Sequence, residues 1–388
     1  MFNNFIGIDV SKDTFNYCVI NSQLTTVEQG SCEMNTKGFK GFKNIVDKYQ
    51  DSIIALESTG SYHINILSFI ASFKKEVYLV NPVLIKRFIQ TISLRKTKTD
   101  EIDANLIAKF IFYHNASLKQ FVPNNMNEIL ALSRVRESIT RDVAKMKTKL
   151  KQDVNTVFPE LVKHYNIFTK TILGILKAFP TTQSIKEANE SKIKKVVKEI
   201  KGKKVYSTIK DVQKLAKESI SNNNGIFSKI IEHDVKTLEF LNQQLEEITK
   251  TLLEEIKKEK EISMDILTSI DGISDVTAAH FIAEVRDIKN FENRNKLIAF
   301  AGTDPSIKES GTSLKQNGKI TKKGSSSLRR IIYIMGMSLI RSNQLFKDYY
   351  YKKRQEGFKH RKAMTALGNK LLRVIFSLLK KEEKWVKK

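Results

Sequence analysis

Between residues 100 and 260 proline occurs only at positions 123, 159 and 180. Proline removes a helix-interior donor and clashes with the preceding turn, so 160 residues with this few breaks, and with apolar residues recurring every three or four positions, are predicted to be overwhelmingly helical. The first ninety residues read differently. Phe5-Ile6-Gly7-Ile8-Asp9-Val10 is a short apolar run, a polar Ser11-Lys12-Asp13 turn follows, and 14–20 is again apolar, which predicts a β-hairpin. Ile53-Ile54-Ala55-Leu56-Glu57 and Val77-Tyr78-Leu79-Val80 repeat the strand pattern, stopped by Ser58-Thr59-Gly60 and by Asn81-Pro82, and 62–73 between them has helical periodicity. Strands alternating with helices predict an α/β domain with a buried mixed sheet.

At 388 residues the chain exceeds one core, and changes of pattern divide it into 1–158, a helical and coiled-coil region 159–260, and a mostly α C-terminal domain 261–388. Leu238, Leu241, Leu245, Ile248 and Leu252 form an a/d seam flanked by Glu and Lys. It spans about two heptads, enough for a helix packed within the monomer or for a coiled coil between protomers, and the expectation leans to a homo-oligomer, dimer or tetramer. Apolar runs such as 331–340 fall short of the roughly 18 residues a membrane span needs. No basic-then-apolar leader opens the chain, and Cys18 and Cys32 are too few for a disulfide framework or a four-thiolate zinc site. The expectation is a cytoplasmic, nucleoid-associated protein with no membrane partner.

The net charge is +25, and its placement is uneven. Residues 1–90 hold nine basic and eight acidic side chains, net +1, whereas 301–388 hold 22 basic and six acidic, net +16. A genome-wide bias toward lysine would not spare the first ninety residues, so the excess predicts a polyanionic partner, nucleic acid. Lys322 and Lys323 lead through Ser325 and Ser327 into a helix carrying Arg329 and Arg330. A serine cap with free N–H groups and adjacent cations makes either a phosphate seat or an ordinary capped helix. Tyr349, Tyr350, Tyr351 and Phe358 alternate with Lys352-Lys353-Arg354 and Lys359-His360-Arg361-Lys362, a pattern suited to tracking a nucleic-acid backbone. Ile270-Asp271-Gly272-Ile273-Ser274 reads as a helix-hairpin-helix turn able to grip phosphate, or as a plain helix–helix turn. The polar stretch 306–327, rich in Gly, Ser and Lys, reads as a long functional loop.

Acids are depleted in strands, which marks Asp9 and Glu57. Asp100 and Asp103, three apart at a predicted helix start, project from one face. Singly each has a bland reading as a solvated strand end or a first-turn acid. Together, four carboxylates would repel unless divalent cations neutralised them, and Mg²⁺ favours such hard oxygen ligands. Two such ions can stabilise both oxygens of a phosphoryl displacement. The surroundings are basic: Lys86, Arg87, Arg95, Lys96 and Lys98 precede Asp100. Histidines and cysteines are dispersed without zinc spacing, and no Walker-type phosphate loop is present.

Ile6-Gly7-Ile8-Asp9, Glu57-Ser58-Thr59-Gly60-Ser61-Tyr62, Val80-Asn81-Pro82 and Lys98-Thr99-Asp100-Glu101-Ile102-Asp103-Ala104 resemble the N-terminal domain of the DEDD transposases of bacterial insertion sequences, the IS110 family, related to the Piv DNA invertase. The stretch from Leu267 through Gly302, Pro305, Glu309-Ser310-Gly311 and Ser327-Leu328-Arg329-Arg330 resembles that family's second domain. The resemblance implies a RuvC-like, RNase H-type N-terminal fold, with Asp9, Glu57, Asp100 and Asp103 as a quartet for Mg²⁺, Mn²⁺ able to substitute. It implies Ser310 as a nucleophile forming a transient phosphoserine link to DNA, and a bridge RNA whose loops pair with the DNA of the element ends and of the target. By itself Ser310 is a loop serine with no nearby histidine in sequence; its activation is expected from the acid site, one domain supplying acids and another the serine. Rivals are a RuvC-like junction resolvase without serine chemistry, an actin-like kinase, whose first phosphate loop wants Gly-Thr where Ser11-Lys12 stand, and a non-enzymatic binding protein.

Overall fold

A computed structural model describes residues 2–57, 62–73, 75–92, 100–118, 120–121, 126–200, 204–221, 225–308 and 316–386, with the side chains of 92, 100–102, 117, 306–308 and 316–319 outside the description. Two compact units divide the chain, Met1–Asn124 and Asn125–Lys388.

The first unit holds β1 (Asn4–Val10), β2 (Thr14–Asn21), β3 (Thr26–Glu33), α1 (Thr36–Lys48), β4 (Ser52–Glu57), α2 (His63–Ala71), β5 (Glu76–Val80), α3 (Pro82–Ile92) and α4 (Asp100–His114). The strands form a five-stranded mixed sheet in the order β3-β2-β1-β4-β5. β1 pairs antiparallel with β2 and parallel with β4, and β4 pairs parallel with β5. Both sheet faces are covered, which explains why the central strands read as nearly continuous apolar runs. Ile6, Ile8, Val10, Ile54 and Leu56 pack with Phe42 of α1 and Ile66 and Ile70 of α2. On the opposite face Phe5, Ile53, Ala55 and Val80 pack with Ile85 of α3 and with Ala104, Ile107, Ala108 and Ile111 of α4. The buried Cys18 belongs to this second face as a small apolar residue.

In the second unit α5 (Met126–Val157) and α11 (Gly225–Thr268) bracket five shorter helices, α6 (Pro159–His164), α7 (Lys170–Ala178), α8 (Thr182–Lys186), α9 (Glu190–Ile200) and α10 (Val205–Lys217). Lys149 pairs with Asp234 at 2.6 Å, and Arg136 Nε donates to Thr249 Oγ1 at 2.7 Å, so α5 and α11 run antiparallel along each other. α11 joins two helices across a kink at Lys260. Then follow α12 (Asp275–Val285), α13 (Arg294–Ala301), β6 (Pro305–Lys308), β7 (Gln316–Ile320), α14 (Ser326–Ser342), α15 (Gln344–Gln355) and α16 (His360–Lys381). One apolar cluster joins the middle helices to the α5–α11 pair, and a second joins α12, α13, α14 and α16 to the far ends of that pair.

By compactness the chain parts at 124, inside the expected first domain 1–158, because α5 packs with α11 in the helical unit. Two sequence expectations change. The leucine seam leaning toward oligomerisation is used within the chain: Leu238 and Leu252 are fully buried, and Leu241 and Leu245 pack against the middle-helix core. The stretch 306–327 is not one loop, since β6 and β7 pair as an antiparallel hairpin, Pro305 opposite Ile320 and Lys308 opposite Gln316. No helix among the described residues is long and apolar enough to cross a membrane.

Candidate active site

Asp9 lies near the end of β1, its backbone opposite Asn16, and Glu57 is the last residue of β4. The register pairs Ile8 with Leu56, so Asp9 and Glu57 stand one step beyond it on adjacent parallel strands. Side chains alternate along a strand, which puts Asp9 with Phe5 and Gly7, and Glu57 with Ile53 and Ala55, on the face that α4 covers. Both acids are half-buried.

Gly7 permits that cover. A Cβ there would collide with the backbone of Ala104 and Ala108, so α4 lies directly on β1. Phe5 meets Phe112 with ring centroids 5.0 Å apart. The late part of α4 therefore sits over the start of β1, and its first turn, carrying Asp100 and Asp103, over the end where Asp9 stands. Asn105 donates to Thr26 Oγ1 at 2.9 Å and to Cys18 Sγ at 3.3 Å, toward β2 and β3. Asp103, about 200° earlier around the helix, projects to the opposite flank, that of β4 and Glu57. Asp9, Glu57 and Asp103 each already have an interaction partner. Among the described residues no three His, Cys, Asp or Glu side chains are gathered as a metal-holding group; the Asp100 side chain is outside the description, as are Lys96 and Lys98. All four are carboxylates, the donor type a hard cation prefers, and Asp9, Glu57 and the first turn of α4 lie at one end of one sheet, yet Asp9, Glu57 and Asp103 are not gathered there as a metal-holding group.

In the second unit Ser310 lies outside the described residues, in the segment 309–315 that joins β6 to β7. The described base of that hairpin is tied down. Thr321 donates to Asp304 through its backbone (3.0 Å) and its hydroxyl (2.6 Å). Thr303 Oγ1 donates to Asn369 of α16 at 2.6 Å. Arg329 Nη1 donates to the carbonyls of Ala301 (3.0 Å) and Gly324 (2.8 Å), holding α13 against the start of α14.

The expected phosphate seat at α14 is partly filled by the protein itself. Ser325 caps the helix by accepting from Leu328 N and donates to Glu284 Oε2 at 2.7 Å. Ser327 donates to Glu137 Oε2 at 2.6 Å, and Arg330 reaches Glu137 Oε1 at 2.9 Å. Ser325, Arg329 and Arg330 thus serve the capped-helix reading, while Lys322 and Lys323 are exposed. Gly272, at φ +101°, makes a turn that α14 approaches so closely that a Cβ would meet Ser342 Oγ at 2.5 Å. Asp275 in the first turn of α12 sets a negative charge beside the donors a phosphate would need, favouring the plain helix–helix turn. On α15 and α16 the aromatics carry the chain's own cations, Lys362 4.0 Å over Phe358 and Lys370 4.4 Å over Tyr349.

Sequence reading missed the buried group behind this helix. His280 is 1% exposed; its Nε2 accepts from Arg136 Nη1 at 3.1 Å, which leaves Nδ1–H to donate to Ser133 Oγ at 2.8 Å. Burial, with the charge of Arg136 beside it, pushes the imidazole down to about 4. In Glu137 burial alone would raise the carboxyl, but the bonds from Ser327 and Arg330 hold it below its usual range. A folded-state value below the unfolded one for His280 means that the unfolded chain takes up the proton first. Stability is then complete above about pH 6.5 and falls toward pH 4, by about 2 kcal/mol between pH 6.5 and 5. Urea unfolding across that range measures the slope, and His280→Asn should flatten it.

Two family models match in series. One described as Transposase, for the DEDD domain of IS110 elements, covers residues 6–159, and one described as Transposase IS116/IS110/IS902 family covers 264–351. The pilin gene-inverting protein of Moraxella lacunata is 21% identical over 395 residues, covering 100% of this chain and 99% of its own length, and that of Moraxella bovis matches to the same extent. A 43.6 kDa insertion element IS110 protein of Streptomyces coelicolor is 28% identical over 115 residues, 30% of this chain and 28% of its own length. The first match contains all four acids and the second contains Ser310, and the chain belongs to the IS110 family of transposases.

Proposed function

We propose that the chain is a Mg²⁺-dependent DNA recombinase with a RuvC-like, RNase H-type catalytic domain, in which Ser310 is the nucleophile and a bridge RNA selects the DNA. The observation that carries the reading is the placement of Asp9 and Glu57 on adjacent strand ends beneath the first turn of α4. Strand ends of this kind are where α/β sheets bind ligands. Asp9, Glu57, Asp100 and Asp103 would hold the ion. Bound Mg²⁺ would supply Lewis-acid stabilisation of the charge that develops on phosphate oxygens.

Ser310 Oγ forms a bond to phosphorus as the bond from phosphorus to a deoxyribose oxygen breaks. The serine proton leaves to solvent or a carboxylate, the departing oxygen takes one up, and the phosphoserine conserves the bond energy for rejoining. Lys322 and Lys323 at the base of the β6–β7 hairpin supply cations for the DNA backbone, joined by Lys96 and Lys98, which precede Asp100 in the sequence. The inversion named for the Moraxella relatives supports a reaction that breaks and reseals DNA. Homo-oligomeric assembly on paired DNA ends belongs to the same proposal.

The test is a strand-exchange assay with two plasmids carrying the element end and its target. Recombinant junctions should require both Mg²⁺ and RNA transcribed from the noncoding end of the element, with Mn²⁺ replacing Mg²⁺. Junctions formed equally well in chelator, or without that RNA, would remove the corresponding part of the proposal.

A further inference from the structure

Leu24, the middle of α3 and the last turns of α4 line an open groove of about 820 Å³ in the first unit, at the end of α4 opposite its acids. Leu24, Arg87, Phe88, Lys109, Tyr113 and His114 shape it. Asn81 starts α3 by accepting from Val83 N at 2.9 Å, and Ile85 turns into the core while Arg87 stays exposed. The floor is aromatic: Phe88 stands edge-on to Phe110 at 5.4 Å and 5.7 Å from His114, and Tyr113, 6.1 Å from Phe88, is 56% exposed. The only charged side chains among the described lining residues are cations, Arg87 and Lys109, and neither is in an ion pair among the described residues.

A second feature marks the same groove. Leu24 has φ +63°, a left-handed conformation that bulky side chains rarely adopt. Its loop is held by Asn21 Oδ1, which accepts from the amides of Gln23 and Thr25, both at 3.0 Å. Glycine or asparagine would occupy that position at lower cost, and such strain is concentrated at binding sites.

We infer that this groove holds an unpaired base of a single-stranded nucleic acid, the ring against Tyr113 and Phe88 and the flanking phosphates on Arg87 and Lys109. Stacking on aromatic faces accepts any base, and the all-cationic lining selects a polyanionic strand over an apolar or basic peptide. The volume falls within the roughly 300–1,000 Å³ of ordinary ligand sites. Tyr113 lies 13 residues from Asp100, about 20 Å along α4. A base held there is displaced from the phosphate at the acids, so the groove positions the strand and takes no part in breaking it.

The experiment titrates full-length protein into single-stranded RNA and single-stranded DNA containing 2-aminopurine, and into the matching blunt duplexes. Tyr113→Ala and Arg87→Ala should each weaken single-strand binding about tenfold while changing duplex binding less than twofold. Tyr113→Phe should restore the affinity, which separates stacking from a folding defect. Loss on RNA alone or on DNA alone names the strand; loss on both assigns the shared chemistry. Equal loss on duplex and single strand, no loss on either, or displacement by polyglutamate as readily as by oligonucleotide would overturn the inference. The readout is binding, so it fails or succeeds independently of the cleavage chemistry proposed for Asp9 and Ser310.

Discussion

Asp9→Asn removes strand cleavage, by about a thousandfold or more, and leaves DNA and RNA affinity within about twofold. The substitution is nearly isosteric and takes away one negative charge. Asp9 sits beside Glu57 under the first turn of α4, while the basic excess lies mostly in 301–388. A metal-held transition state is stabilised by several kcal/mol, and each 1.36 kcal/mol is a factor of about ten in rate. Loss of one ligand thus costs orders of magnitude in rate, whereas backbone affinity depends on the number of phosphates contacted. Gel-shift binding and plasmid cleavage on the same preparation separate the two. Lost binding would make Asp9 a docking or folding residue, and retained cleavage would move the chemistry away from the acids altogether, as the non-enzymatic rival requires.

Ser310→Ala eliminates the protein–DNA adduct that survives denaturation in the parent protein. The effect is all-or-none, because no other atom of an alanine side chain can form the phosphoester bond. Ser310→Cys is the informative companion: a thiol can attack phosphorus but gives a more labile link, so a weak adduct should reappear. An adduct that persists in Ser310→Ala would place the nucleophile elsewhere. Full strand cleavage by Ser310→Ala without any adduct would instead favour a RuvC-like junction resolvase, which uses water as the nucleophile.

The first unit was largely legible from its residues. Both strands of the β1–β2 hairpin, β4 and β5 are buried on two faces, so their apolar runs are continuous and their ends are marked by turn residues. β3 escaped because it is an edge strand with no buried residue and hence no apolar alternation. The acids were visible because a carboxylate inside an apolar run conflicts with burial, and Gly7 beside Asp9 is what lets α4 carry its own acids to the same end.

The second unit was less legible, for physical reasons. An a/d seam specifies an apolar partner helix without saying which, and here α5 of the same chain supplies it. A polar stretch containing glycine and serine reads as loop even where its backbone pairs as β6 and β7. Serines and arginines at a helix start look alike whether they face phosphate or an internal carboxylate. Only folding brings Glu137 to Ser327 across 190 residues and Ser133 to His280 across 147. A glutamate on a long amphipathic helix gives no sign in sequence that it will be buried as a receptor for a distant cap.

The acid site is the claim on which the enzyme depends, and Mn²⁺ titration followed by electron paramagnetic resonance tests it without relying on activity. Wild-type protein should bind Mn²⁺, compete it off with Mg²⁺, and lose that binding in both Asp9→Asn and Glu57→Gln while their thermal unfolding stays unchanged. Equal Mn²⁺ binding by the wild type and both variants would contradict the account.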